Sequence, residues 1–183
     1  QLYDIPVSGT MAHSWVQSFE DELSAFRTYA EHYPDSTILL VDTYNTIKSG
    51  IPNAIKVAKE LEEKGHKLKA IRLDSGDLAY LARKSRHMLD NAGLDYVQIA
   101  ASNQLDEYVI KSILDQNAPI DLFGVGTKLV TAYDEPALDG VYKLSSINDK
   151  PTLKISENVE KITLPDVKQL TRFFNSDGSF NCD

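Results

Sequence analysis

The segment Ile71–Leu78 (IRLDSGDL) concentrates a guanidinium, two carboxylates, a hydroxyl and a glycine between Arg72 and Asp77. Arg72 stands between apolar Ile71 and Leu73, inside what reads as a buried strand. A buried guanidinium needs an anion, which is either a ligand or a neighbouring carboxylate such as Asp42 or Asp74. Asp74 lies at the strand tip, with no obvious helix to cap, and reads as functional. Asp77 has two readings of equal weight: it holds ribose hydroxyls or a magnesium-bound water, or it caps the following helix. Ser75 adds a hydroxyl, and Gly76 lets a ligand approach the backbone.

Other turns carry similar chemistry. Gly124-Val125-Gly126-Thr127 follows an apolar run. Its glycines free backbone N–H groups for a phosphate and Thr127 adds a hydroxyl, or the segment is a tight turn with a helix cap. Lys128 neutralises a phosphate or lies in solvent. Ser102 and Asn103 contact a ribose or cap a helix. Asp42-Thr43 orders the site or a metal, or ends a strand. His13, in the turn Ser8–His13 with Gly9 and Thr10, lacks a second histidine at metal-ligand spacing. By position alone it reads as a surface or structural histidine, as do His32, His66 and His87.

These turns must be brought together, and the rhythm of the chain supplies the means. Short apolar runs at Ser36–Asp42, Lys67–Leu73, Tyr96–Ala101 and Ile120–Val125 read as strands. Helical spacing follows at Ile51–Lys64, Asp77–Asn91 and Leu105–Gln116, and Ser14–Tyr33 reads as one long helix. Repeated strand–helix units imply parallel strands with right-handed crossovers. Their strand-to-helix turns then share one face, where ligands bind in barrels and open sheets alike. The assembled groups are those that suit a phosphorylated, multiply hydroxylated ligand. After Asp139 the pattern changes. Val141–Ile147, Thr152–Ser156 and Gln169–Phe174 read as antiparallel strands. The expected division is residues 1–140, a partial α/β barrel, and 141–183, a strand-rich segment leading to a second domain.

The bulk properties narrow the function class. A net charge of −8 argues against a broad nucleic-acid or anionic-membrane surface, though not against a local phosphate pocket. One cysteine, Cys182, excludes an internal disulfide framework and points to a reducing, cytoplasmic setting. No apolar run reaches membrane-spanning length. The chain opens on Gln1 and stops soon after the turn at Ser176-Asp177-Gly178, which reads as a fragment of a longer enzyme.

GTMAHSWV, LLVDTYNT, SGIPNAI, IRLDSGDL, ASNQLDE, FGVGTKLVT and LDGVYKL follow one another in this order. With these motifs the chain resembles the nicotinate phosphoribosyltransferase family over nearly its whole length, from about Pro6 to KISENVEKIT and beyond. The resemblance implies an irregular (β/α) barrel of parallel strands, as in type II phosphoribosyltransferases, with a C-terminal β-rich segment leading to an α/β sandwich domain. It implies that nicotinate and phosphoribosyl pyrophosphate give nicotinate mononucleotide and pyrophosphate, driven by ATP through a phosphohistidine, with Mg2+ accompanying pyrophosphate or ATP. Through it His13 becomes the phosphorylated histidine, Thr10 a nicotinate-site residue and Arg72 the partner of nicotinate's carboxylate. Thr127, Gly124 and Gly126 match the phosphate cradle. Asp74, Ser75 and Asp77 match ribose and pyrophosphate-side residues, with Asp74 the candidate to stabilise a cationic transition state. The metal ligands stay unassigned. The resemblance further implies a homo-oligomer and a missing N-terminal aromatic, so the isolated fragment is expected to be inactive. A nicotinamide or quinolinate phosphoribosyltransferase and a non-catalytic phosphate-binding α/β module are the alternatives.

Overall fold

The computed structural model describes residues 3–5, 9–138, 140, 142–153, 155, 162 and 164–180. The chain forms two units, Gln1–Pro136 and Ala137–Asp183. In the first, β1 (Ile38–Leu40), β2 (Ala70–Leu73), β3 (Gln98–Ala101) and β4 (Leu122–Phe123) make a parallel four-stranded sheet in the order β1-β2-β3-β4. This is the α/β architecture expected. Among the described residues the sheet is an open arc with β1 and β4 at its edges.

Two helices, α1 (His13–Gln17) and α2 (Glu22–His32), precede β1, and one follows each strand: α3 (Ile51–Glu63), α4 (Leu78–Asn91), α5 (Glu107–Asp115) and α6 (Thr127–Val130). On α3 the buried set is Ile51, Ala54, Val57, Ala58 and Leu61, one apolar stripe at helical spacing. It joins Leu39, Val41, Ile71, Leu73 and Ile99 in a single core. Two helices stop on glycine in the same way. Gly65 has φ +83°, with Gly65 N–H bonded to Glu62 and His66 N–H to Leu61. Gly93 repeats this at φ +71°, with its own N–H on Asp90 and that of Leu94 on Leu89. Both are Schellman closures, which turn the chain sharply towards the next strand.

The single helix expected over Ser14–Tyr33 is two. Ser18 donates its hydroxyl to Trp15's carbonyl at 2.7 Å and closes α1, and Asp21 accepts from Ser24 N–H at 2.8 Å and opens α2. Apolar spacing runs on through the break, but a capping pair at each side outweighs it. A π-helical turn, Thr46–Gly50, leads into α3. It brings Gly50 so close to β1 that a Cβ there would lie 1.8 Å from Val41's carbonyl oxygen.

Among the described residues of the second unit, the antiparallel pairing is one hairpin and one bridge, shorter than the strands expected. β5 (Ser146–Ile147) pairs with β6 (Lys150–Pro151), and Phe174 pairs with Phe180. Asn148 and Asp149 lie at φ +49° and +57°, the left-handed pair that a two-residue hairpin turn requires. Extended pairing is not seen over Gln169–Phe173, where large side chains such as Leu170 and Phe173 are exposed rather than packed on a sheet. Residue 141, the positions 154 and 156 of the Thr152–Ser156 strand, most of KISENVEKIT, Ser8 and Cys182 lie outside the described residues. Among the described residues no helix is long and apolar enough to cross a membrane.

Candidate active site

Strand register assembles the site. Leu40 is opposite Arg72, Leu73 opposite Ala101, and Ala101 opposite Phe123. Two residues past Leu40 and Arg72, and one past Ala101 and Phe123, come Asp42, Asp74, Ser102 and Gly124, at one level on the carboxyl ends. Ser102 N–H still bonds Leu73's carbonyl at 2.9 Å, and Gly124 N–H bonds Ala101's at 2.8 Å, so the ladder persists to this level. Alternation along β2 then puts Arg72 and Asp74 on one face.

Arg72, Asp74 and Ser102 form a closed triangle. Arg72 Nε donates to Ser102 Oγ at 2.9 Å and an Arg72 terminal nitrogen to Asp74 at 3.2 Å, while Ser102's hydroxyl donates to Asp74 in a short contact. The other terminal nitrogen of Arg72 reaches Met11's carbonyl at 3.4 Å. Of the anions open to Arg72 in the sequence, Asp74 is the intramolecular one. Burial pushes the Asp74 carboxyl up, but the Ser102 hydroxyl and the Arg72 guanidinium outweigh it and hold the carboxyl below its ordinary value.

His13 stands at the edge of this triangle. Its Nδ1 is 3.0 Å from Thr43 Oγ1, and its Nε2 is 3.8 Å from Asp42 and 3.6 Å from Asp74. Asp42 belongs with the named candidates, although its type and its place at a strand end allow two readings. Its side chain is 1% exposed. One oxygen accepts from Asp74 N–H at 2.7 Å and Ser75 Oγ at 2.6 Å. The other is buried with no hydrogen-bond partner and faces the imidazole. A strand-ending aspartate is common, so type alone does not reveal this role. The signal is register, since Leu40 opposite Arg72 sets Asp42 opposite Asp74.

The remaining candidates divide. Asn103, Gly124, Gly126 and Thr127 line one cavity of about 180 Å³, with Gln104, Leu105 and Lys128. Ser102 joins it to the triangle, because a Cβ on Gly124 would lie 3.5 Å from Ser102 Cβ. Asn103 and Gln104 both have positive φ, +87° and +51°, a strained pair of the kind found at ligand clamps. Asp77 caps α4, accepting from Tyr80 N–H at 2.9 Å. Thr10 is turned to the opposite end of β1, where its hydroxyl donates to Ile38's carbonyl at 2.8 Å. Among the described residues no group of three acidic, histidine or cysteine side chains could by itself hold a metal ion.

Known proteins resemble this chain in sequence and in fold. Residues 1–177 match the nicotinate phosphoribosyltransferase (NAPRTase) family. The nicotinate phosphoribosyltransferase of Bacillus subtilis is 52% identical over 177 residues, taking in 94% of this chain and 36% of the relative. A Mycobacterium tuberculosis (strain H37Rv) nicotinate phosphoribosyltransferase is 48% identical over 170 residues, covering 93% of this chain and 36% of its own length. The crystal structure of human nicotinic acid phosphoribosyltransferase superposes with a TM-score of 0.76 at 28% identity, over 96% of this chain and 42% of the human one. Nicotinate-nucleotide pyrophosphorylase from Pyrococcus furiosus gives 0.56 at 31% identity, over 69% and 32%. The chain thus spans about a third of the length of these curated relatives. It belongs to the nicotinate phosphoribosyltransferase family.

Proposed function

We propose that the protein joins nicotinate to phosphoribosyl pyrophosphate, giving nicotinate mononucleotide and pyrophosphate. ATP hydrolysis is coupled to the step through phosphorylation of His13, and the barrel closes and the site is completed by the remainder of a homo-oligomeric enzyme. One observation carries the reading. A guanidinium, two carboxylates and an imidazole converge at the carboxyl ends of the strands, next to a glycine-lined cavity.

Each group has a part in that chemistry. Arg72 pairs with nicotinate's carboxylate and turns the ring nitrogen towards ribose C1, which is catalysis by positioning. A planar, permanently charged guanidinium suits a carboxylate better than a neutral amide. Asp74, kept ionised, offsets positive charge that develops on the ribose as its bond to pyrophosphate breaks. Ser75 and Asn103 offer hydrogen bonds to ribose hydroxyls, and the Gly124–Thr127 turn receives the 5-phosphate. Thr43 on one ring nitrogen and two carboxylates beside the other fix the orientation of His13. The two carboxylates, with Asp42's unpartnered oxygen, fit a Mg2+ held mainly through pyrophosphate or ATP oxygens and water. Such an ion would neutralise the leaving group.

The test uses the full-length protein with phosphoribosyl pyrophosphate and nicotinate, nicotinamide or quinolinate in turn, with and without ATP. Nicotinate mononucleotide should form from nicotinate alone, faster with ATP. Labelled ATP should leave acid-labile, base-stable phosphate on the protein, and His13→Asn should abolish it. Turnover of nicotinamide or quinolinate instead identifies a related transferase, and no turnover at all leaves a binding module. Phosphate that persists in His13→Asn removes the phosphohistidine.

A further inference from the structure

The cavity beside Gly124 and Gly126 has a single cationic wall. Its lining holds amides, a hydroxyl, glycine backbone and one ammonium, that of Lys128, and no carboxylate. That is unusual chemistry for a chain of net charge −8. A phosphate dianion in such a pocket calls for a full countercharge as well as backbone dipoles.

Lys128 is not loose in solvent. Its ammonium bonds the carboxylate of Asp106, and the two side chains are 29% and 12% exposed. Tyr133's ring lies 5.3 Å from the same ammonium. Asp106 also accepts from Val109 N–H at 2.7 Å and so caps α5. It follows closely on the loop in which Asn103 and Gln104 have positive φ. The Asp106–Lys128 bridge therefore ties the base of one cavity wall to the other. An ammonium has three donors, and Asp106 takes one. Capacity remains for a phosphate oxygen.

We infer that Lys128 is the phosphate-binding cation of this cavity and that Asp106 is a positioning residue that holds it at the wall. The inference rests on the phosphoribosyl reading above and deepens it. A rival account makes the pair a plain strut between α5 and α6, without contact to substrate. The two accounts part on conservative variants. Asp106→Asn keeps a good helix cap but removes the charge that competes for Lys128. Lys128→Gln keeps length and polarity but removes the cation.

The experiment uses the full-length protein and two readouts. One is inorganic phosphate binding followed by phosphorus NMR and calorimetry. The other is the pair of Michaelis constants in the transferase assay. Lys128→Gln should weaken phosphate binding by on the order of 10-fold, as loss of a charge-assisted hydrogen bond does. It should raise KM for phosphoribosyl pyrophosphate similarly, with kcat and the nicotinate KM little changed. Lys128→Arg should restore most of the affinity; Asp106→Asn, whose amide oxygen still accepts from the ammonium, should leave phosphate binding equal or tighter, whereas Asp106→Ala, which frees the ammonium, should weaken it by less than Lys128→Gln does. Equal losses in Lys128→Gln and Asp106→Asn, with matching falls in Tm, would establish the strut and overturn the inference. So would unchanged phosphate binding in Lys128→Gln, or no phosphate binding by the wild type. Wild-type turnover tests the reaction separately: a protein that binds phosphate through Lys128 yet turns nothing over refutes the transferase reading and not this one.

Discussion

At the amino end of the sheet, around β1, β3 and β4, polar side chains complete the backbone. Thr37 donates to Tyr33's carbonyl at 2.6 Å, Thr10 donates to Ile38's at 2.8 Å, and Asp121's carboxylate takes Ile99 N–H at 2.7 Å. At the carboxyl ends, polar side chains address one another instead. Arg72, Asp74 and Ser102 close a triangle, His13 sits between two carboxylates, and one buried oxygen of Asp42 lacks a hydrogen-bond partner. The same sheet thus has one end whose hydrogen bonds stabilise the fold and one end held in a charged arrangement that a ligand would complete. A satisfied backbone contact contributes to folding, whereas an unpartnered buried carboxylate oxygen opposes it. Substitutions at the amino end should therefore lower stability and spare turnover, and those at the carboxyl end should act chiefly on turnover.

Arg72→Ala should show the largest effect. Truncating one member of a buried, charge-paired contact costs about 2–5 kcal/mol at the transition state. The ratio kcat/KM for nicotinate should fall by roughly 10²–10³-fold. KM for phosphoribosyl pyrophosphate should change little, and Tm should fall only modestly, because Asp74 loses its Arg72 contact but keeps its Ser102 partner. Equal rises in both Michaelis constants would remove the assigned role. Gly50→Ala comes next and crosses the division between the two ends. The new methyl would collide with Val41's carbonyl oxygen at 1.8 Å, in rigid backbone one residue before Asp42. A cost of about 3 kcal/mol in denaturant unfolding is expected from overpacking, together with lost turnover as Asp42 is displaced. Full activity in a folded Gly50→Ala protein would show that Asp42's position tolerates movement.

Much of this division was legible in the sequence, and the gaps have physical causes. The strand–helix rhythm was readable because each strand is short and apolar and each helix carries one stripe. Arg72 was conspicuous because a charge between Ile71 and Leu73 is costly without a partner. Which anion it meets was open, since Asp42 and Asp74 are alike in type and only register separates them. Thr10 shows the converse. Its residue type gives no sign that its hydroxyl serves Ile38's carbonyl, at the far end of β1. The break at Ser18–Asp21 was hidden by apolar spacing that runs across it. The strand expected over Gln169–Phe174 reduces to a single bridge at Phe174, because Leu170, Phe173 and Phe174 stay exposed and no second layer among the described residues covers them.

Thr37→Val tests the amino end on a smaller scale. Thr37 is fully buried, and its hydroxyl holds Tyr33's carbonyl as the chain leaves α2 for β1. The substitution keeps the shape and removes this hydrogen bond, while Ser36 N–H still serves the carbonyl at 3.1 Å. Stability should fall by about 1 kcal/mol, as for the loss of one intramolecular hydrogen bond, with unchanged kcat and KM. A change in KM would connect this end of the sheet to catalysis and break the comparison.

The smallest effect is a pH dependence at the carboxyl end, and its sign is fixed by Asp74. The folded protein holds this carboxyl below its ordinary 3.8, because the Ser102 and Arg72 contacts outweigh the burial that pushes it up. A depressed carboxyl contributes stability in full above its unfolded pKa and loses it as pH falls through the folded value. Asp74→Asn has no proton to gain. The stability gap between wild type and Asp74→Asn should therefore narrow as pH is lowered below about 4, where Asp74 takes up its proton. Denaturant melts of both proteins across that range measure it. Other depressed carboxyls, such as Glu60 on Arg27, titrate equally in both proteins and cancel in the difference. A gap that stayed constant through the acid range would mean that the Arg72–Asp74–Ser102 triangle does not favour the ionised carboxylate, and Asp74 would lose its claim to offset charge on the ribose.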